Sequence, residues 1–366
     1  MVETPAFDKA QLAWNLPWDA DWVTAVAWLG PTRQIAAGNR LGEILLWELP
    51  QRPGAETPPP SRKLTGHTNC INRLIASRDG SKLFSCSHDH SIRIWDLKAA
   101  TQGQETVALN AVTRQQLIKR RSSRVPAPLE ARVQTQPAAA VLSGHRDWIV
   151  SLALSRDEKL LVSGNDSGEV LTHEISTGKE VGRWKVKGWV YSLALSPDSK
   201  RVFVSERVPL VFDSGRRDGA GIYDRETGRL IQDLSALFKG QYLSSSAYSP
   251  DGKLLAVGRG GECDGMNGSV TLLEADTGKK LRVLAPGHLN GLTDLAFHPD
   301  GKHLLSCGRD TVVSVWKLDD GKRVAQLGKP RGGQFKDWLH ALTLSPDGKW
   351  LAAGDMAGSV QVWSLG

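Results

Sequence analysis

Short runs of alternating apolar and polar residues fill this chain, and each run stops at a cluster of Gly, Pro, Asp or Ser. Cys70 to Ala76 alternates, Arg78-Asp79-Gly80 reads as a turn, and Lys82 to Cys86 alternates again. His88-Asp89-His90 is a second turn, and Ser91 to Leu97 is a third run. On extended backbone successive side chains face opposite ways, so this period predicts strands and not helices. Many short strands with tight turns predict antiparallel sheets and an all-β fold.

One phrase repeats along the whole chain. LTLSPDGKWLAAGD starts at Leu342, SAYSPDGKLLAVGR at Ser246, LALSPDSKRVFVSE at Leu193 and LAFHPDGKHLLSCGRD at Leu295. Weaker copies start at Leu152 and Leu74, and a degenerate copy at Val26, giving seven. A unit this short cannot bury its apolar face alone, so the copies must pack on one another. The repeats run from end to end and override the several domains that 366 residues would suggest.

A second pattern overlies the phrase. Gly66-His67, Ser85, Asp89 and Trp95-Asp96 recur as Gly287-His288, Ser306, Asp310 and Trp316. The interval from His to Asp is 22 residues in both copies, and from Asp to Trp it is six in both. A buried His needs partners for both ring nitrogens, and Ser, Asp and Trp supply a chain that satisfies all four. The third repeat keeps Gly144-His145 and Ser163 but carries Ser167 and His173 in the Asp and Trp positions. The remaining repeats lack the Gly-His and must hold by apolar packing.

On these residues the chain resembles the WD40-repeat β-propeller family, with a phrase style similar to bacterial members. The resemblance implies a single seven-bladed propeller. Its blades fall at roughly 18–67, 68–145, 146–187, 188–236, 237–287, 288–328 and 329–366. The last repeat supplies three strands, so the alternating segment Lys9 to Leu16 is expected to complete it and close the ring, which abolishes an exposed sheet edge. The resemblance also places inter-blade loops on a top face and the loops after third strands on a bottom face.

On the top face two long loops are expected, Glu206 to Gly221 and Arg259 to Gly268, with Phe212, Arg216, Arg217, Asp264 and Met266 as partner-binding residues. Five repeats place an aromatic at one position, eight residues before the turn proline or its equivalent: Trp22, Trp148, Trp189, Tyr242 and Trp338. Cys70 and Gly291 fill that position in the other two. Trp and Tyr supply large contact area at low entropic cost, which suits a partner surface; packing between blades is the competing role.

Charge adds one feature. The formal net charge is +7, and residues 98–137 hold seven basic and two acidic residues, so +5 of it sits in one insertion. That insertion is expected on the bottom face, with a helix from Glu105 to Arg120 and a basic stretch of Arg114, Lys119, Arg120, Arg121 and Arg124. A flexible solvated linker is the expected role, with an acidic protein partner or RNA as the alternatives. Pro50 to Ser61 reads as a second, extended bottom loop.

Catalytic signatures such as GxSxG, HExxH and a Walker loop are missing from the sequence. His88-Asp89-His90, and Glu262 with Asp264 and Asn267, are incomplete ligand sets, so no metal or cofactor is expected. The four cysteines form no CxxC pair and the N-terminus has no apolar leader, which predicts a cytoplasmic protein without a membrane span. The function predicted is a non-catalytic scaffold that binds a protein or peptide on the top face. An enzyme with a site at the channel mouth is the other reading.

Overall fold

The computed structural model describes residues 2–20, 22–53, 56–109, 129–207, 219–260, 268–330 and 338–366. Among these residues every regular element is a strand except one 3-10 turn, Phe7–Lys9. The strands form seven sheets, arranged as the blades of a β-propeller. Six sheets have four strands and one has six.

The alternating runs become strands because each blade is packed on both faces. The second strands show this best: Leu160–Asn165 and Trp350–Asp355 are buried along nearly their whole length, since a neighbouring blade covers each side. Outermost strands such as Glu180–Lys185 bury little beyond one anchor, here Trp184. The apolar core is accordingly divided into clusters that lie between adjacent blades.

The turn phrase has a local hydrogen-bond logic. In blade 5, Ser249 Oγ donates to Asp251 Oδ1 at 2.7 Å and accepts from Leu254 N at 2.9 Å. Asp251 Oδ1 also accepts from Lys253 N, and Gly252 takes the positive φ of 76° that the turn demands. Blade 4 makes the same turn with Ser199 at φ 60°, where a side chain is disfavoured.

The ring closes through the strand Gln11–Pro17, which pairs antiparallel with Ser359–Ser364. Trp14 from this strand stacks on Trp350 with centroids 5.4 Å apart, and the Arg33 guanidinium lies 4.8 Å from the Trp350 ring. The closure therefore joins the first and last blades by backbone pairing and by an aromatic–cation stack.

The insertion between the third and fourth strands of blade 2 departs from expectation. Gly103–Ala108 is a strand and not the start of a helix; the rest of the expected helix lies outside the described residues. It pairs antiparallel with Glu130–Pro137, which pairs in parallel with Pro60–Thr65. This hairpin extends the outer edge of blade 1 to six strands. Val107, Leu109, Ala131 and Val133 are buried in one cluster with Trp14, Leu16 and Trp18 of the closing segment. Of the strand Gly103–Ala108 only Val107 is buried; its first four residues are exposed.

Around the channel each innermost strand carries a β-bulge near its start, for example between Ile71 and Arg73 and between Leu292 and Asp294. Bulged residues reach the next blade. Asn72 Nδ2 donates to Ile149 O at 2.6 Å, Ser244 Oγ to Leu292 O at 2.7 Å and Thr293 Oγ1 to Leu339 O at 2.7 Å. His340 Nδ1 donates to Thr24 O at 3.2 Å and joins the last blade to the first.

Candidate functional site

The spaced His, Ser, Asp and Trp residues come together inside two blades. Trp95 Nε1 donates to Ser85 Oγ at 2.9 Å, and Ser85 Oγ lies 2.7 Å from His67 Nε2. His67 Nδ1 donates to Asp89 Oδ2 at 2.7 Å, and that oxygen also accepts from Thr68 N. Gly66 holds φ at 143°, a backbone conformation that residues with a side chain rarely adopt, and lies beside the Arg93 guanidinium. His288, Ser306, Asp310 and Trp316 repeat the chain at 2.9, 2.7 and 2.8 Å. Burial lowers the pKa of His67 even with Asp89 beside it, so the ring stays neutral and the chain of donors runs one way. These residues brace the fold and are inaccessible to a partner.

Blade 3 has half of this network. His145 Nε2 lies 2.7 Å from Ser163 Oγ, but His145 Nδ1 is buried without a partner. His173 takes the Trp position and turns to Ser143 O at 3.2 Å. Burial, reinforced by His173 and Arg183, lowers the His145 pKa to about 3.

The five aromatics gather at the end of the ring where innermost strands begin, here called the top. Trp22, Trp148, Tyr242 and Trp338 each directly precede such a strand, and Trp189 opens one. Trp148 is 46% exposed and the other four are half-buried. Four of them carry a basic side chain on the ring. Arg40 sits 4.7 Å from the Trp22 centroid, Arg207 5.0 Å from Tyr242, and Arg309 4.5 Å from Trp338. His88 stacks on Trp148 at 4.6 Å and an interplanar angle of 17°. These basic groups come from the end of each second strand, a position that spacing alone did not mark as functional.

Below the rim the channel is crossed by an ion pair. Arg73 Nη1 of blade 2 lies 3.0 Å from Asp294 Oδ1 of blade 6. Asp294 also accepts from Ser245 Oγ at 2.9 Å and from Leu342 N at 3.1 Å. Its carboxylate therefore ties together blades 2, 5, 6 and 7. Sequence reasoning missed this pair, because Arg73 alone reads as an ordinary polar position in an alternating strand.

At the opposite end a cavity of about 400 Å³ opens between blades 4 and 5, lined by Arg156, Asp198, Arg201, Tyr248 and Asp276 among others. Arg201 is already paired with Asp276 at 2.7 Å. Among the described residues no cluster of metal-ligating side chains forms, and no helix is long and apolar enough to cross a membrane. Phe212, Arg216, Arg217, Asp264 and Met266 of the two long loops lie outside the described residues. So do Arg114, Lys119, Arg120, Arg121 and Arg124 of the basic insertion.

Comparison with known proteins fits this geometry. The family model of the WD domain, G-beta repeat, matches residues 58–96, 137–171, 278–317 and 329–364. The chain is similar to the small ribosomal subunit protein RACK1y of Oryza sativa, 26% identical over 355 residues, covering 82% of this chain and 94% of that protein. It is similar to human telomerase Cajal body protein 1, 32% identical over 176 residues, covering 47% of this chain and 29% of that one. It is also similar to autophagy-related protein 16 of Arabidopsis thaliana, 22% identical with 83% of this chain and 49% of that one covered. The chain thus spans nearly all of the first relative and half or less of the other two. With four matched repeats set in a closed seven-bladed ring, the chain belongs to the WD40-repeat β-propeller family.

Proposed function

We propose that this protein is a rigid, non-catalytic scaffold that docks a protein or peptide on its top face. The observation that carries this is the rim itself. Five aromatics stand at one end of the ring, and four of them have a basic side chain over the ring, His88 stacked and Arg40, Arg207 and Arg309 within 5.0 Å of the centroid. Seated in this way, the guanidinium, imidazole and aromatic groups lose little freedom on binding, which favours tight contact.

Two further points support it. The channel groups Arg73 and Asp294 are engaged with each other, which suits a brace better than a reacting centre. The relatives described above are named for a ribosomal subunit, a telomerase Cajal body and autophagy. Cys70, Cys86 and Cys307 are buried free thiols, and the cytoplasm is the setting we assign.

The test is affinity capture from lysate followed by mass spectrometry, with the wild-type chain and a Trp148→Ala, Trp189→Ala, Trp338→Ala variant. The variant should lose the specific partners while keeping its melting behaviour close to wild type. An unchanged partner set would refute the docking face.

A further inference from the structure

Trp189 breaks the pattern of the rim. In each blade with a described counterpart, the residue after the second strand donates its N–H to the carbonyl at the aromatic position. Arg40 bonds Trp22 O, His88 bonds Cys70 O, Asp166 bonds Trp148 O and Arg309 bonds Gly291 O. From that position His88 reaches the Trp148 ring of the next blade, and Arg309 reaches Trp338. The corresponding neighbour of Trp189 is Asp166. Close contacts on both sides fix this adjacency: the Gly164 backbone abuts Val190, and Gly168 abuts the Gly188 carbonyl. The Asp166–Ser167 tip therefore stands beside Trp189.

Asp166 brings a carboxylate where Arg40, Arg207 and Arg309 bring a guanidinium, His88 an imidazole, and Gly260 and Met356 no charge. Among the described residues nothing donates a hydrogen bond to that carboxylate, and Trp189 has no cation or second ring on its face. Burial and the neighbouring Asp147 raise the Asp166 pKa to about 6, while Arg207 pulls it the other way. Arg207 is cross-strand from Trp189, but its guanidinium lies over Tyr242. Among the described residues the notch thus combines an indole face with no cation over it and a carboxylate with no hydrogen-bond donor, Arg207 acting on it only through its charge. An indole face attracts a cation through its quadrupole, and a partly buried carboxylate strengthens that attraction.

We propose that the notch between blades 3 and 4, formed by Trp189 and Asp166 with Asp147 behind, receives a lysine or arginine side chain from the docked partner. The partner supplies in trans the cation that Arg40, Arg207 and Arg309 supply to Trp22, Tyr242 and Trp338 from within. This rests on the docking-face reading above and adds to it the charge of the segment that docks.

The probes are the tripeptides acetyl-Gly-Lys-Gly-amide and acetyl-Gly-Arg-Gly-amide, with the N-ε-acetyl-lysine and Glu counterparts as controls. The readout is the Trp189 indole N–H resonance of the full chain, assigned with Trp189→Phe. One or both cationic peptides should shift it saturably, and the arms separate lysine from arginine. Asp166→Asn should weaken the response at least fivefold. Asp166→Arg, which copies the residue at Arg40 and Arg309, should cap Trp189 from within and abolish it. No response to either cation, an equal response to a control, or an unchanged response in Asp166→Asn would each overturn the proposal. Such a failure leaves partner capture by the top face intact, whereas failure of the docking face shows as unchanged capture by the triple variant.

Discussion

Arg73 and Asp294 meet across the central channel at 3.0 Å although 221 positions separate them in sequence. The Asp294 side chain is only 6% exposed and Arg73 is 29% exposed, so the pair is partly shielded from water. Removing one member of a shielded pair leaves the other uncompensated. Arg73→Met should cost about 2 kcal/mol, discounted for the water that reaches Arg73. Ser245 Oγ and Leu342 N bond different oxygens of Asp294, so Asp294→Asn keeps an acceptor for only one of them and should cost about 2 kcal/mol. In urea unfolding the double variant should fall short of the sum by about 1 kcal/mol, the coupling of a direct pair. Strict additivity would show that the two side chains do not interact.

Blade 3 offers a gain of stability. Ser167 occupies the position from which Asp89 and Asp310 reach their histidines, and His145 Nδ1 lacks a partner. Ser167→Asp should give that nitrogen an acceptor and stabilise the fold by about 1 kcal/mol. Adding His173→Trp, which copies Trp95 and Trp316, should supply Ser163 with its donor. Chemical unfolding of the single and double variants measures both steps.

Acid should act through the same residue. The His145 pKa is about 3 in the folded state, because burial, His173 and Arg183 all oppose its charging. Unfolded, it titrates near the ordinary value of about 6.5. A depressed folded value means stability is fully present above about pH 6.5 and is lost as pH falls toward 3, since only the unfolded chain takes the proton. Between neutrality and pH 5 the loss should reach about 2 kcal/mol from this group. His67 shifts in the same direction. His145→Gln, which has no such proton to gain, should show a shallower acid slope in urea midpoints.

The hairpin of residues 103–108 and 130–137 predicts a role for the insertion in closing the ring. Its side chains Val107, Leu109, Ala131 and Val133 cover Trp14, Leu16 and Trp18. Replacing residues 99–137 by a short Gly-Ser linker should destabilise the protein by about 3 kcal/mol or more through lost apolar burial. Hydrogen exchange should then rise first in Gln11–Pro17. An unchanged melting temperature would mean that the hairpin merely rests on the rim.

The repeat phrase, the tetrad spacing and the closing strand were legible because each depends on local order or on a fixed interval. Leu193 and Leu342 begin near-copies, and no tertiary knowledge is needed to align them. The hairpin was not legible, because Gly103–Ala108 becomes a strand through parallel and antiparallel partners far along the chain. The Arg73–Asp294 pair depends on which of many polar positions face the channel. The contrast of Asp166 with Arg40, His88 and Arg309 was available in the alignment of repeats. It gained meaning only once that position was seen beside the ring of the next blade.

Hydrogen exchange on the protein bound to its captured partner tests the docking surface most directly. The account predicts protection concentrated in the segments that carry Trp22, Trp148, Trp189 and Trp338, with outer strands such as Glu180–Lys185 unchanged. Protection confined to the outer strands or to the opposite end of the ring, with the aromatic segments exchanging as in the free protein, would contradict it.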